Sequence, residues 1–243
     1  MFDRAEFEKT KRHHAEQLAN DTALRKKARN LILAADHHGF LHQWCWLDMP
    51  IVQLPTDMFA IQEIVWETKP DIIIETGIAW GGSLIFYASL LQLLGKGQVI
   101  GVDLNLMDHV VAKIMSYPFS HRIHAYKGSS TDPGIVEKIK AHVKPEHSVM
   151  LVLDSNHTHE HVLAELDLYA PLVTKGQFVI VCDTYIEESP PQTHRQRPWA
   201  PGNNPRTAIM SYLKKVDRFQ EDRYIYGKSL MSLMPNGYLR CIK

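Results

Sequence analysis

The sequence is short of cysteine, has no excess of charge and contains no long apolar run, and each shortage excludes something. Cys45, Cys182 and Cys241 are far apart and odd in number. They give neither a disulfide framework nor a CxxC metal knuckle, so buried thiols are expected. The 27 basic and 27 acidic residues cancel, which removes the general electrostatic reason to expect nucleic acid or an anionic membrane as partner and favours a small molecule. No stretch approaches the roughly 18 apolar residues of a spanning helix. The opening MFDRAEFEKTKRHH is charged from its third residue, unlike a secretory leader, and a cytoplasmic protein is expected. Neither GxGxxG nor GxxxxGK[ST] occurs, so a dinucleotide fingerprint or P-loop is a poor fit.

What is present is a regular alternation. Residues 3 to 36 are rich in Lys, Arg, Glu and Ala with spaced apolar positions at Phe7, Leu18, Leu24, Leu31 and Ile32, a pattern of amphipathic helix. TDMFAIQEIVWETK reads as a further helix capped by Thr56, and residues 1–68 together as an N-terminal helical cap or extension. From residue 69 to 243, short Val/Ile/Leu runs (DIIIET, QVIGVDL, HRIHAYKG, SVMLVLD, QFVIVCD) alternate with helical patterns. That alternation specifies an α/β, Rossmann-like, doubly wound and mostly parallel sheet of about seven strands, with ligands at the carboxyl ends of the strands. SLMSLMPNGYLRCIK reads as two strands around a Pro-Asn-Gly turn, an antiparallel hairpin at the sheet edge. TYIEESPPQTHRQRPWAPGNNPR lacks periodicity and is long enough to cover a substrate. Within it Arg195, Arg197, Trp199 and Asn203 are candidates for acceptor contacts.

The turn after the first core strand carries Glu75, Thr76, Gly77, Gly81, Gly82 and Ser83. Glycine allows a tight turn and close approach to a ligand, and free N–H groups at the following helix start can bind polar groups. One βα unit later Asp103 ends a strand, where a class I methyltransferase places an acid on the ribose diol of S-adenosylmethionine. Ser129, Ser130 and Thr131 end the third strand, where its adenine edge would lie.

WLDMPIVQLPTDMFAIQEIVWETKPDIIIETGIAWGGSLIFYASLL, DSNHTHEHVLAELDLYAPLV, RPWAPGNNPRTAIMSYL and the ending MPNGYLRCIK resemble the cephalosporin hydroxylase/rhamnosyl O-methyltransferase family over nearly everything after about residue 40. The resemblance implies a Rossmann-like core that binds S-adenosylmethionine, with a divalent metal, usually Mg2+, beside the transferred methyl group. It implies metal ligands at the ends of the fourth and fifth strands, here Asp154 and Asp183. Relatives have another oxygen ligand beside the second acid; this chain has Cys182 before it and Thr184 after it, which leaves Thr184, Glu187, Glu188 or water to complete the shell.

DSNHTHEH allows three readings. His157, Glu160 and His161 match the H-x-x-E-H of a zinc protease, but the match is short and follows a buried strand. His157, His161 and Asp154 could form the two-histidine, one-carboxylate centre of an iron hydroxylase. The reading adopted makes Asp154 a metal ligand and part of the cofactor pocket. His157, at a position where some relatives use histidine as general base, takes a proton from a substrate hydroxyl. His159 and His161 are then surface or first-turn residues. The expectation is a metal-dependent O-methyltransferase acting on a hydroxyl of a sugar or glycosylated small molecule, in a homo-oligomer. A non-catalytic assembly partner on the same fold is the alternative of a different class.

Overall fold

A computed structural model of the chain describes residues 2–190 and 196–243; Arg195 lies outside them. In chain order the elements are α1 (Arg4–Asn20), α2 (Thr22–Asp36), β1 (Cys45–Trp46), β2 (Met49–Pro50), α3 (Pro55–Thr68), β3 (Ile72–Thr76), α4 (Gly82–Leu94), β4 (Gln98–Asp103), α5 (Asp108–Met115), β5 (Ile123–Lys127), α6 (Pro133–Lys140), β6 (Val149–Leu153), α7 (His159–Tyr169), β7 (Phe178–Val181), α8 (Pro205–Leu213), β8 (Phe219–Glu221), α9 (Arg223–Lys228) and β9 (Tyr238–Cys241). β1 and β2 form a small separate hairpin. The other seven strands make one sheet in the order β5-β4-β3-β6-β7-β9-β8, parallel from β5 to β7 and antiparallel at β9 and β8. The expected doubly wound sheet is therefore present.

Its central strands are apolar without a break because both faces are covered. β3, β6 and β7 are buried at every position, and the period of two sorts their side chains. Ile73, Met150, Val152 and Ile180 share a core with α3 and α4 through Ile61, Ile64, Leu84 and Leu91. Ile72, Ile74, Leu151 and Val179 share the opposite core with α6, α7 and α8 through Ile139, Leu166 and Ile209. At about 2 kcal/mol for each fully buried large aliphatic side chain, these two layers supply most of the drive to fold. Chain order departs in opposite directions from the β3/β6 pair, and the register Thr76↔Leu153 ends both strands at the same level. A crevice opens there, as expected at a topological switch point.

Three local expectations change. The helix read over residues 3 to 36 is two helices, because Asp21 acts at both ends: its N–H closes α1 on the carbonyl of Gln17, and its carboxylate caps α2 at the N–H of Leu24. α3 starts at Pro55 with Leu54 as N-cap, and the Thr56 hydroxyl donates instead to the carbonyl of Met231. The expected C-terminal hairpin around Pro235–Gly237 does not form; the antiparallel edge is instead β9 paired with β8, with α9 between them in the chain. Asn236, at φ 60°, turns the chain into β9, but the segment before it is held by Asp57. That fully buried carboxylate accepts from the Ser232 hydroxyl at 2.5 Å, the Leu233 N–H at 2.8 Å and the Tyr238 hydroxyl at 2.8 Å. A buried acid has taken over backbone that a ladder would otherwise pair. No helix among the described residues is long and apolar enough to cross a membrane.

Burial pushes Asp57 up to about 6, against the pull of its three donors. A carboxyl with a folded pKa above its unfolded value binds more protons folded than unfolded between the two, so its contribution to stability is present at low pH and lost as pH rises through about 6. Wild-type protein is expected to lose about 2 kcal/mol more than Asp57→Asn between pH 4 and pH 6. Urea unfolding at the two pH values checks this, and equal losses in both proteins would exclude it.

Candidate active site

The carboxyl ends of β6 and β7 bring the acids together. The Asp154 N–H donates to the carbonyl of Thr76 at 2.8 Å, which continues the β3/β6 ladder one step into the crevice. Gly77, at φ 87°, permits this approach, since a Cβ there would overlap the backbone carbonyl of Asp154. The Cys182 N–H donates to the carbonyl of Leu153 at 2.9 Å, and the chain then turns through Asp183 in the left-handed region at φ 56°. A non-glycine residue held there, at the mouth of a cleft, is the kind of strain found at functional sites. It directs the Asp183 carboxylate toward His157, whose Nε2 lies 3.1 Å from Oδ2.

One ligand atom from each of Asp154, His157 and Asp183 lies within 4.8 Å of the others, the one such trio of His, Cys, Asp and Glu among the described residues. They share a cleft of about 510 Å³ with Asp103, Ser130 and Trp199. Burial, and then the carboxylates of Asp183 and Glu75, hold Asp154 well above the usual carboxylate range. Burial raises Glu75 to about 8, with Asp103 adding to the effect against the Ser83 hydrogen bond. Among the described residues no lysine or arginine pairs with Asp154 or Asp183. Clustered carboxylates without a cation are what a hard divalent ion neutralises, so the donors present fit such an ion.

Other residues expected at the site are placed differently. Asp103 accepts from the Ile78 and Ala79 N–H groups at 2.9 Å each and from the Asn105 N–H at 2.7 Å, so it ties β4 to the glycine-rich turn while lining the cleft. Ser130 lines it as well, its hydroxyl 3.1 Å from His161 Nε2. Glu75 and Thr76 are buried in β3. Gly81 caps α4, and Gly82 and Ser83 line a small adjoining cavity together with Gln53 and Asp154. Thr131 meets Ser129, hydroxyl to hydroxyl, at 3.0 Å. The Thr184 hydroxyl donates to the carbonyl of Pro235 at 2.7 Å. Glu187 accepts from the Gly202 N–H and the Asn204 amide, and Glu188 pairs with Arg29. All three side chains considered for a third ligand are thus engaged elsewhere, and the third donor beside the two acids is His157.

The histidine stretch separates. His157 precedes α7 and faces Asp183, whereas Glu160 is exposed, so the H-x-x-E-H motif does not converge on a zinc ion. With one histidine and two carboxylates, the gathered trio is not the two-histidine iron set either. His159 and His161 lie in the first turn of α7, one of the two places expected for them, and both are half-buried. His159 binds the Thr207 hydroxyl through Nδ1 at 2.8 Å, and its N–H binds Asn203 Oδ1 at 2.9 Å. His161 reaches Ser130 and Glu165 in the cleft wall.

One partner of the acids had no signal in the sequence, and one of the loop residues singled out for acceptor contacts takes a defined place in the cleft wall. Gln53, from the link between β2 and α3, donates Nε2 to Asp154 Oδ2 at 2.9 Å. Trp199 packs its ring edge-on against His157, centroids 4.8 Å apart at 87°, and the Arg197 guanidinium lies 5.2 Å from the same indole. Asn203 and Asn204 anchor this segment to α7 and Glu187, so Trp199 is a fixed part of the cleft wall.

Residues 38–242 match the family model for rhamnosyl O-methyltransferase/CmcI. The rhamnosyl O-methyltransferase of Mycobacterium tuberculosis is 31% identical over 199 residues, covering 80% of this chain and 74% of that protein. The Mycobacterium leprae protein of the same name is 32% identical over 148 residues, covering 60% and 62%. In structure, CmcI solved with Mg-SAM superposes with a TM-score of 0.58 at 19% identity, covering 83% of this chain and 78% of that one. The extent of the family match and the identity to curated relatives lead to one conclusion: the chain belongs to the rhamnosyl O-methyltransferase/CmcI family.

Proposed function

We propose that this chain is an S-adenosylmethionine-dependent O-methyltransferase that uses a divalent cation, magnesium, and transfers the methyl group to a hydroxyl of a sugar or glycosylated small molecule. The observation that carries the reading is the Asp154–His157–Asp183 cluster at the strand ends, in a cleft that continues to Asp103 and Ser130. The sugar acceptor is supported by the name of the curated relatives, and magnesium with S-adenosylmethionine by the CmcI structure.

A cation held by Asp154 and Asp183 would supply the positive charge that makes a weakly acidic sugar hydroxyl easier to deprotonate. The rest is done by this chain. Gln53 orients the Asp154 carboxylate through Oδ2. His157 Nε2 lies 3.1 Å from Asp183 Oδ2, so the tautomer with its N–H on Nε2 faces the acid; the second carboxylate oxygen remains for a ligand bond. A neutral imidazole that donates from Nε2 keeps its lone pair on Nδ1, and that atom is available to take the proton of the acceptor hydroxyl. Asp183 then stabilises the imidazolium. The cleft residues Asp103 and Ser130 bind the cosubstrate on the far side, which leaves Trp199, Arg197 and Tyr185 to face the acceptor.

The test is calorimetry with S-adenosylhomocysteine in the presence and absence of MgCl2, followed by transfer of labelled methyl from S-adenosylmethionine to a panel of monosaccharide glycosides. Binding without transfer to any glycoside would refute the sugar acceptor, and no binding would refute the enzyme reading. Trp199→Ala should lower kcat/KM about 10-fold by freeing the His157 ring and opening the wall, and Trp199→Phe should retain most activity. Steady-state kinetics on the two variants checks it.

A further inference from the structure

α2, α9 and the turn after β7 line a second, half-open pocket of about 40 Å³, which has only Tyr185 in common with the catalytic cleft. Arg25 and Ser229 both line it. The Arg25 guanidinium stacks 3.6 Å from the centroid of Tyr226 and donates Nη2 to the Tyr226 carbonyl at 2.5 Å. Its Nη1 is buried without a hydrogen-bond partner, and no carboxylate of the described residues pairs with it. The Ser229 hydroxyl, in a residue only 5% exposed, is likewise buried without a partner. The other cation at the cavity, Arg29, is neutralised by Glu188.

Two unsatisfied donors therefore line one small space whose charged groups sum to +1. A buried donor left unpaired is destabilising, and the half-buried Arg25 adds a positive charge that no carboxylate of the described residues pairs with. Water would satisfy the hydrogen bonds but not the charge. The space exceeds the minimum of about 15 Å³ that one water needs, which admits a single ion but not a bulky organic acid. We propose that this cavity binds one monovalent anion of halide size, such as chloride, held by Arg25 and Ser229. The anion links α2 to α9, and so fastens the N-terminal helices to the C-terminal part of the chain beside Tyr185.

The experiment compares thermal unfolding in sodium chloride with unfolding in sodium gluconate at matched ionic strength, the gluconate anion being too large to enter. Going from gluconate to 100 mM chloride should raise the Tm of the wild type by about 3 °C, and bromide should act like chloride. Arg25→Gln and Ser229→Ala should each cut the response to below about 1 °C. Ser229→Ala keeps the test decisive if Arg25→Gln does not fold. A bromide-soaked crystal should show an anomalous peak between Arg25 and Ser229. Equal Tm in chloride and gluconate, or an undiminished chloride response in Ser229→Ala, overturns the proposal. A bromide peak without any Tm dependence means an adventitious ion only and overturns it too.

Discussion

Asp154→Ala should reduce methyl transfer by at least about 10³-fold and yet leave the fold as stable as wild type or more so. Loss of a cation that lowers the acceptor's pKa removes several kcal/mol of transition-state stabilisation, and about 4 kcal/mol corresponds to 10³ in rate. The stability half of the prediction comes from the charges around Asp154. Its carboxyl is held well above the usual range by burial and by repulsion from Asp183 and Glu75; truncation relieves that strain and costs the 2.9 Å hydrogen bond from Gln53 and the one with the Cys182 thiol. Turnover in chelator-treated and magnesium-supplemented buffer, together with Tm, checks both halves. Full activity after chelation would end the metal reading. A large fall in Tm would mean that Asp154 is mainly structural.

His157→Ala should lower kcat by about 10² to 10⁴-fold, the usual range for removing a general base, with little change in KM. The second readout separates base from ligand. If His157 moves the proton, magnesium and S-adenosylhomocysteine should bind the variant within about threefold of wild type by calorimetry, and its residual rate should rise with pH as hydroxide replaces the lost base. If magnesium binding collapses instead, His157 is the third ligand, which its position within 4.8 Å of both acids also permits. An unchanged kcat would remove it from the chemistry.

The resemblance named the carboxylate pair, and its place at the sheet edge was legible because strand ends are legible. Each of Asp154 and Asp183 follows an unbroken apolar run, VMLVL or FVIV, that has no stable place except a sheet buried on both faces. The first polar residue after such a run emerges at the carboxyl edge. Asp103 follows the same logic. The histidines were less legible, since three of them at alternate positions in a strand-to-helix turn have no periodicity that sorts them. Their partners come from 26 to 48 residues away: Asp183 for His157, Thr207 for His159 and Ser130 for His161. The C-terminal hairpin was misplaced for a related reason. SLMSL carries strand-like residues, but Asp57, some 175 residues earlier, supplies stronger partners for that backbone than a neighbouring strand could.

By itself the sequence determined the α/β alternation, the parallel sheet and the strand ends at which a crevice opens, because hydrophobic period and run length act over a few residues and need no knowledge of what packs opposite; the pairing of Asp154 with Asp183 came from the family resemblance. Only the tertiary structure decided which histidine meets an acid, that Thr184, Glu187 and Glu188 are engaged away from the cluster, that Gln53 and Trp199 lie beside Asp154 and His157, and that Arg25 Nη1 is buried without a partner. Those outcomes depend on pairings between distant segments, and a polar side chain in a folded protein takes the partner the fold brings within about 3 Å, not the neighbour its sequence suggests.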